Sequence, residues 1–399
     1  MSDDSGDEIS VAQAAGILRC MKIDQDETTA QFHQDRLLDS PLPSDDDDAE
    51  NEATMFDRIV SLRGDRGVRV CTNLSIAAFN EVWDVVSDEV VRVFTEGRGR
   101  KYRDSPKDLF FMMLCVLKSN NHWDYQAEMF QRETSSFERS IVKMIVTVEP
   151  LLYKAFVIDE QVRADMASLE GNQFEYFSQA LYATDVNFQQ AGRPGTQWDV
   201  SKEYFSKKHG LYGYKTEASV LPSGLAIDVT DHAKGATSDI TIFKENIDFH
   251  KNQIRKDGDD LMIHDPVKDE PEQQHTTWAI LFDKGYQGAQ KRLRAILPIK
   301  KKRRNIPLRR SKKIYNQKVA HDRVIVENFF GRRILLWGIM RGKFRFSESM
   351  YDTYVRLSTA LTNFHIKNWP LRDVDNDMYQ SARKSLYEKG RAAQEQKGA

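Results

Sequence analysis

The chain has 399 residues, 40% of them hydrophobic and 30% charged, enough for one large domain or two ordinary ones with a substantial core. No apolar run reaches the roughly 18 residues a bilayer span needs, and the acidic start Met1-Ser2-Asp3-Asp4 lacks a basic n-region and an apolar h-region, so no signal peptide is expected. Cys20, Cys71 and Cys115 lie far apart and form no zinc pattern, which speaks against a disulfide framework and for a reducing compartment, cytosol or nucleus.

The formal net charge of −2 conceals an asymmetry. Residues 1–57 carry 16 acidic and 3 basic side chains, whereas the remainder carries 44 acidic and 55 basic ones. An acidic tail is thus joined to a basic body, and a basic body suits a polyanionic partner, nucleic acid first. The tail, with "SPLPSDDDDAENEA", shows no sustained periodicity and is expected to be disordered. No repeat of 20–50 residues is present.

Residues 58–165 read as a helical domain. In "DSPKDLFFMMLCVLKSNN", Ser105 is placed to cap a helix, with Pro106 at its first position and Asp108 three residues after the cap. Leu109, Met112, Met113, Val116 and Leu117 then form one apolar stripe. "NNHWD" breaks the pattern, a short helix covers 125–130, and a third begins near Thr134 or Ser135 with Phe137, Ile141, Met144, Ile145 and Val148 on one face. Three short helices with tight links permit a helix-turn-helix unit whose exposed face would carry Ser135, Ser136, Arg139 and Lys143. Basic and acidic residues nearly balance here, 9 against 7 over residues 100–157, so the unit offers little of the positive charge that phosphate binding requires.

From residue 166 to 372 the pattern changes to mixed α/β. "ALYATDVNF" alternates as a strand, and "LYGYKTEASVLPSGLAIDVTDHA" gives two strands joined at Pro222-Ser223-Gly224. "SDITIFKENIDFHKNQI" reads as one helix and the polar stretch 251–277 as a surface loop. "WAILFD" is a short buried strand, "GAQKRLRAI" a helix, "AILPIK" a brief strand, and "NQKVAHDRVIVENFFGRRILLWGIM" a long helix. That order defines a mixed sheet flanked by helices. Residues 373–399 form a polar tail.

Three acids occupy positions where the pattern calls for inward-facing groups: Asp185 within a strand, Asp283 at the end of an apolar strand, and Glu327 in register with Val324, Phe330, Gly331 and Ile334 on the long helix. A buried carboxylate needs a partner. Acids drawn from two strands and a helix could share a pair of hard divalent cations, Mg²⁺ or Mn²⁺, which clamp an in-line displacement at phosphorus. Gly285 and Gly288 allow a tight backbone turn after Asp283. Each acid also has an ordinary reading, a turn for Asp283 and an ion pair with Arg323 for Glu327.

Twelve of the 23 residues from Lys291 to Lys313 are Lys or Arg. The run lies between the strand of Asp283 and the helix of Glu327 and is expected to hold a phosphate backbone through Lys300, Lys301, Lys302, Arg303, Arg304, Arg309 and Arg310. Lys300 to Arg304 also read as a nuclear localisation signal. Arg323, Arg332, Arg333, Arg139 and Lys143 complete the expected DNA-contacting set.

"FDKGYQGA", "AHDRVIVENFFGRR" and the block "YFSKKHGLYGYKTEASVLPSGLAIDVTDHAKGATSDITIF" resemble the DDE-superfamily transposases of the PIF/Harbinger-like type, as found in oomycete transposon-derived copies. The likeness runs over roughly residues 100–372, ending in "LSTALTNFHIKNWPLR". It implies an RNase H-like fold, a metal-dependent DNA endonuclease and strand-transfer activity, and two Mg²⁺ or Mn²⁺ ions. The family's first Asp falls on Asp185, its second on Asp283 and its Glu on Glu327. Many relatives follow the first Asp with Gly and a small polar residue; here Val186 and Asn187 stand there. The family's Gly-to-Asp element falls on Gly235-Ala236-Thr237-Ser238-Asp239, which makes Asp239 either an accessory acid near the site or the cap of the following helix. The resemblance also implies transposon ends and target DNA as partners, a Myb-like DNA-binding companion protein and a homo-oligomer. A domesticated copy that binds DNA or acts as a scaffold without cutting is the alternative.

Overall fold

In the computed structural model, residues 54–96, 102–169, 172–195, 198–267, 270–301 and 307–371 are described. The expected acidic and C-terminal tails lie outside them, apart from residues 54–57. The chain divides into two units at Cys71/Thr72. The described part of the first is helix α1 (Met55–Thr72), interrupted at Gly64, whose φ of 57° no helix accommodates. The second unit contains both the remaining helices and the sheet.

That unit begins with α2 (Ile76–Thr95), α3 (Pro106–Ser119), α4 (Trp123–Met129) and α5 (Thr134–Tyr153). Ser105 caps α3 by accepting from the Asp108 amide at 3.1 Å, and Asn120 ends it in the left-handed conformation. Glu133 caps α5 by accepting from the Ser135 and Ser136 amides. The stripe Phe137, Ile141, Met144, Ile145 and Val148 is buried, and α5 packs against α2, α3 and α4. A π-turn (Lys154–Ile158) leads into the short α6 (Asp159–Arg163).

The sheet follows: β1 (Ala180–Gln190), α7 (Trp198–Glu203), β2 (Phe205–Ser206), β3 (Leu211–Val220), β4 (Ala226–Val229) and β5 (Ala233–Lys234). The expected single helix over 238–254 is two, α8 (Asp239–Glu245) and α9 (Ile247–Gln253). They meet at Asn246, whose side chain donates to Asp228 at 2.8 Å. Next come the ribbon β6 (Pro266–Val267) and β7 (Glu270–Gln274), then β8 (Ala279–Phe282) and β9 (Ala295–Ile296). Helices α10 (Arg310–Leu336) and α11 (Tyr351–Asn368) close the fold. Strand order is β2-β3-β1-β8-β9, with β4 and β5 also on β3. The β1/β3 pair is antiparallel, while β1/β8 and β8/β9 are parallel. The chain is therefore an α/β protein with a mixed sheet flanked by helices, consistent with an RNase H-like fold.

Alternation along the central strands assigns the two faces. Tyr182, Ile280 and Phe282 enter an apolar cluster with Phe243 and Ile254, beneath α8 and α9. Residues of the opposite parity face α10, which lies across β1, β3 and β8. Helix α11 packs against α5 and α10, so the helical region and the sheet share a core.

Two expectations are corrected. The polar stretch 251–277 is not a solvated loop: Lys256, Asp260 and Asp265 are buried. Lys256 donates to Asp265 at 2.7 Å, and Arg294 grips the same carboxylate with both terminal nitrogens. Asp260 accepts from the Met166 and Ala167 amides and from Trp278 Nε1. The region looks soluble in sequence because its charges are matched by residues distant along the chain. The expected helix over 288–296 is only one 3-10 turn, Ala289–Lys291, followed by β9.

Candidate active site

Asp185 lies in the middle of β1 and Asp283 immediately after β8. Thr184 is registered beside Phe282, so the parallel pairing brings the two acids to the same level of the sheet, on the α10 face. Helix α10 delivers Glu327 from above that face. One side chain joins all three. Arg323, one helical turn before Glu327, donates to Asp185 Oδ2 at 2.6 Å and to Glu327 Oε1 at 2.7 Å, and stands 3.7 Å from Asp283 Oδ1.

The cluster is graded in depth. The side chains of Arg323 and Asp185 are 12% and 20% exposed, Asp283 35% and Glu327 52%. Burial lifts the Asp185 carboxyl to about 6 against the pull of Arg323, with Asp283 and Glu327 pushing it further up. Burial works to lower the Arg323 guanidinium, but the three carboxylates outweigh it and leave it above its ordinary value. An arginine therefore stays charged here, and the site's mouth opens through Asp283 and Glu327.

The turn after Asp283 is held from behind. Asp239 lies just inside α8, whose cap is Ser238. Its Oδ1 accepts from buried Lys215 at 3.0 Å, and Lys215 also donates to the Thr237 carbonyl. A Cβ on Gly285 would stand 2.5 Å from Asp239 Oδ2, so glycine is what lets the turn approach that carboxylate. Asp239 is thus near the Asp283 turn, paired with Lys215.

Asp322 was not singled out from sequence. It is fully buried and accepts from the Tyr176 and Phe177 amides at 2.9 and 3.0 Å, tying α10 to the segment that enters β1. Its position next to Arg323 in "HDRVIVE" was the available signal, a buried-face acid beside a charged neighbour.

The expected DNA-contacting residues divide. Lys300, Lys301, Arg309 and Arg310 are exposed, and Lys302, Arg303 and Arg304 lie outside the described residues. Arg139 is exposed. Four others are engaged by groups of the chain itself. Arg323 is engaged by the three acids. Arg333 is fully buried, donates to Thr359 and lies 5.4 Å over the Phe330 ring. Arg332 is turned to His365 and the Trp369 carbonyl. Lys143 donates to the Val93 carbonyl at 3.0 Å and sits 4.5 Å over Phe94. Helix periodicity alone does not distinguish an arginine facing solvent from one facing a neighbouring helix.

Three carboxylates supply only hard oxygen donors, which suits Mg²⁺ or Mn²⁺. Among the described residues, however, no group of three His, Cys, Asp or Glu is set in a metal-holding array; the spacing is that of acids around a guanidinium. The donor chemistry fits divalent ions, with Arg323 in the position of the compensating charge.

The α/β sheet thus carries an acid at the centre of one strand, an acid after its parallel neighbour and a third on a crossing helix, gathered about Arg323. Residues 184–363 match the family model described as DDE superfamily endonuclease, a segment that holds all three acids and supports the superfamily assignment. No curated protein matches the chain, and no solved structure does.

Proposed function

We propose that the chain is a metal-dependent DNA endonuclease and transposase of the PIF/Harbinger-like type, resembling oomycete copies, which hydrolyses a phosphodiester and transfers the freed strand. The observation that carries this reading is the convergence of Asp185, Asp283 and Glu327, from two adjacent strands and a helix, on one cationic centre. These three residues would hold the ions, which when bound lower the barrier to in-line displacement at phosphorus. Asp283 and Glu327 face the opening through which a scissile phosphate enters. The exposed cations Lys300, Lys301, Arg309 and Arg310 grip the flanking backbone and raise the association rate. The reading extends to transposon ends and target DNA as partners, a Myb-like companion that selects the ends, a homo-oligomer that pairs them, and entry to the nucleus through the basic run 300–304.

The test is nicking of duplex DNA bearing terminal inverted repeats, with Mg²⁺, with Mn²⁺ and with chelator. Cutting is expected only with metal and is expected to fall at least about 100-fold in Asp283→Asn, the scale of removing one electrostatic group from such a site. Equal cutting by Asp283→Asn would reject the assignment.

One observation favours a second reading. Arg323 already pairs with the acids, as suits a domesticated DNA-binding or scaffold protein that no longer cuts. Calorimetry separates the two: DNA binding without any Mn²⁺ binding supports the scaffold.

A further inference from the structure

Beyond the acid cluster, β1 leads to a second concave feature on the same face. Asp185, Asn187, Gln189 and Ala191 share one parity. Gln189 donates to the Ile339 and Gly342 carbonyls, and the Phe344 amide donates to the Gln190 carbonyl at 2.7 Å, which draws the loop after α10 against the end of β1. Between this loop and residues 191–194 lies a groove of about 360 Å³, within the range of small-ligand sites. Its floor is aromatic, Tyr214, Phe344 and Phe346. Its rim carries the exposed cations Lys343 and Arg345. Glu348 also lines it, its carboxylate taken by Tyr204 Oη and His232 Nε2.

A second observation lies beneath the floor. Tyr351 packs on Tyr214 and Phe344 with ring centres 4.6 and 4.9 Å apart, and near it is fully buried Arg333, whose Nε and Nη2 have no hydrogen-bond partner among the described residues. Burial pushes this guanidinium down to about 10, so it still carries its charge at neutral pH. Among the described residues no carboxylate is bonded to it, and such a buried cation projects positive potential through low-dielectric surroundings. An aromatic floor, a cationic rim and a charge behind the floor suit an unpaired nucleotide, its base on the rings and its phosphates on the lysine and arginine.

We propose that this groove binds an unpaired nucleotide of the DNA strand running from the acid cluster along β1. The inference rests on DNA being the substrate. Six residues of strand separate Asp185 from Ala191, about 20 Å at 3.3 Å per residue, or about six steps at 3.4 Å along one strand. The groove therefore takes the strand several nucleotides from the scissile bond.

The experiment is fluorescence anisotropy on the full chain, in chelator so that nothing is cut, with a dye-labelled blunt duplex and the same duplex carrying a single-stranded tail. Wild type is expected to bind the tailed DNA at least about tenfold tighter, the effect of stacking one or two bases. In Lys343→Gln/Arg345→Gln, both at exposed positions, that ratio is expected to collapse toward one. A wild-type ratio of one, or a ratio that survives in the double variant, overturns the proposal. Nicking is scored separately, with Mg²⁺ or Mn²⁺, on duplex bearing terminal inverted repeats: a chain that shows the ratio and never nicks keeps the groove and sinks the nuclease reading.

Discussion

Arg323 donates to Asp185 across 2.6 Å from the helix that also carries Glu327, so the candidate site has an internal cation built into it. A divalent ion bound as proposed would compete with the guanidinium for the same carboxylates. In Arg323→Gln the acids lose their counter-charge, and the variant is expected to be destabilised by about 3 kcal/mol without metal, the usual cost of leaving a buried charge unpaired. Its Mn²⁺ affinity is expected to rise at least about tenfold, since a displaced ion pair no longer opposes binding. Calorimetry and thermal melts with and without Mn²⁺ measure both. An unchanged affinity would show that Arg323 does not contest the site.

Asp322 performs the neighbouring structural task. Its carboxylate accepts two backbone amides from the chain entering β1, and a bond to a charged group contributes about 1.5–3 kcal/mol. Asp322→Ala is expected to lose about 3 kcal/mol and Asp322→Asn, which keeps one acceptor oxygen, roughly half of that. Amide exchange at Tyr176 and Phe177 should accelerate in both variants. Protection there equal to wild type would contradict the anchoring role.

The elements that alternate or cap locally were legible in the sequence. Ser105-Pro106 announces α3, Pro222-Ser223-Gly224 turns β3 into β4, and the apolar run before Asp283 is β8. Asp185, Asp283 and Glu327 stood out as acids where apolar groups were expected, and the structure brings them together. What could not be read was long-range pairing. Asp260 and Asp265 look solvated because their partners, Trp278 and Arg294, lie on other segments. Arg323 and Arg333 sit ten residues apart on one helix, yet one faces three acids and the other an apolar interior. The break between α8 and α9 depends on Asn246 reaching Asp228, a contact with no local signature.

Gly285 tests how tightly the Asp283 turn is held. A Cβ there meets Asp239 Oδ2 at 2.5 Å, and Asp239 cannot retreat freely because buried Lys215 holds it. Gly285→Ala is expected to cost about 1–3 kcal/mol, the range for overpacking. The cost should fall when combined with Asp239→Ala, because the clashing carboxylate is gone. A double-mutant cycle by denaturant unfolding reads the coupling, expected to exceed about 0.5 kcal/mol. Additive losses would mean that the turn and the carboxylate do not touch.

The last prediction concerns pH. Burial lifts the Asp228 carboxyl to about 6; the Asn246 amide and His250 pull it down, while Glu217 and Asp231 push it up. An acid whose folded pKa exceeds its unfolded value binds its proton more tightly in the folded chain. Between the unfolded value near 4 and about 6, the folded state therefore holds more protons, and this group's contribution to stability declines as pH rises through that window. Above about pH 6 the ionised carboxylate is a standing cost. Asp228→Asn removes the ionisation and keeps an oxygen for the Asn246 amide. The variant is expected to gain about 1–2 kcal/mol over wild type at pH 8, a figure reduced for the solvent that still reaches the side chain. At pH 4 the difference should nearly vanish. Urea unfolding of both proteins at the two pH values decides it, and a gain that is the same at pH 4 and pH 8 would rule out titration of Asp228 as its source.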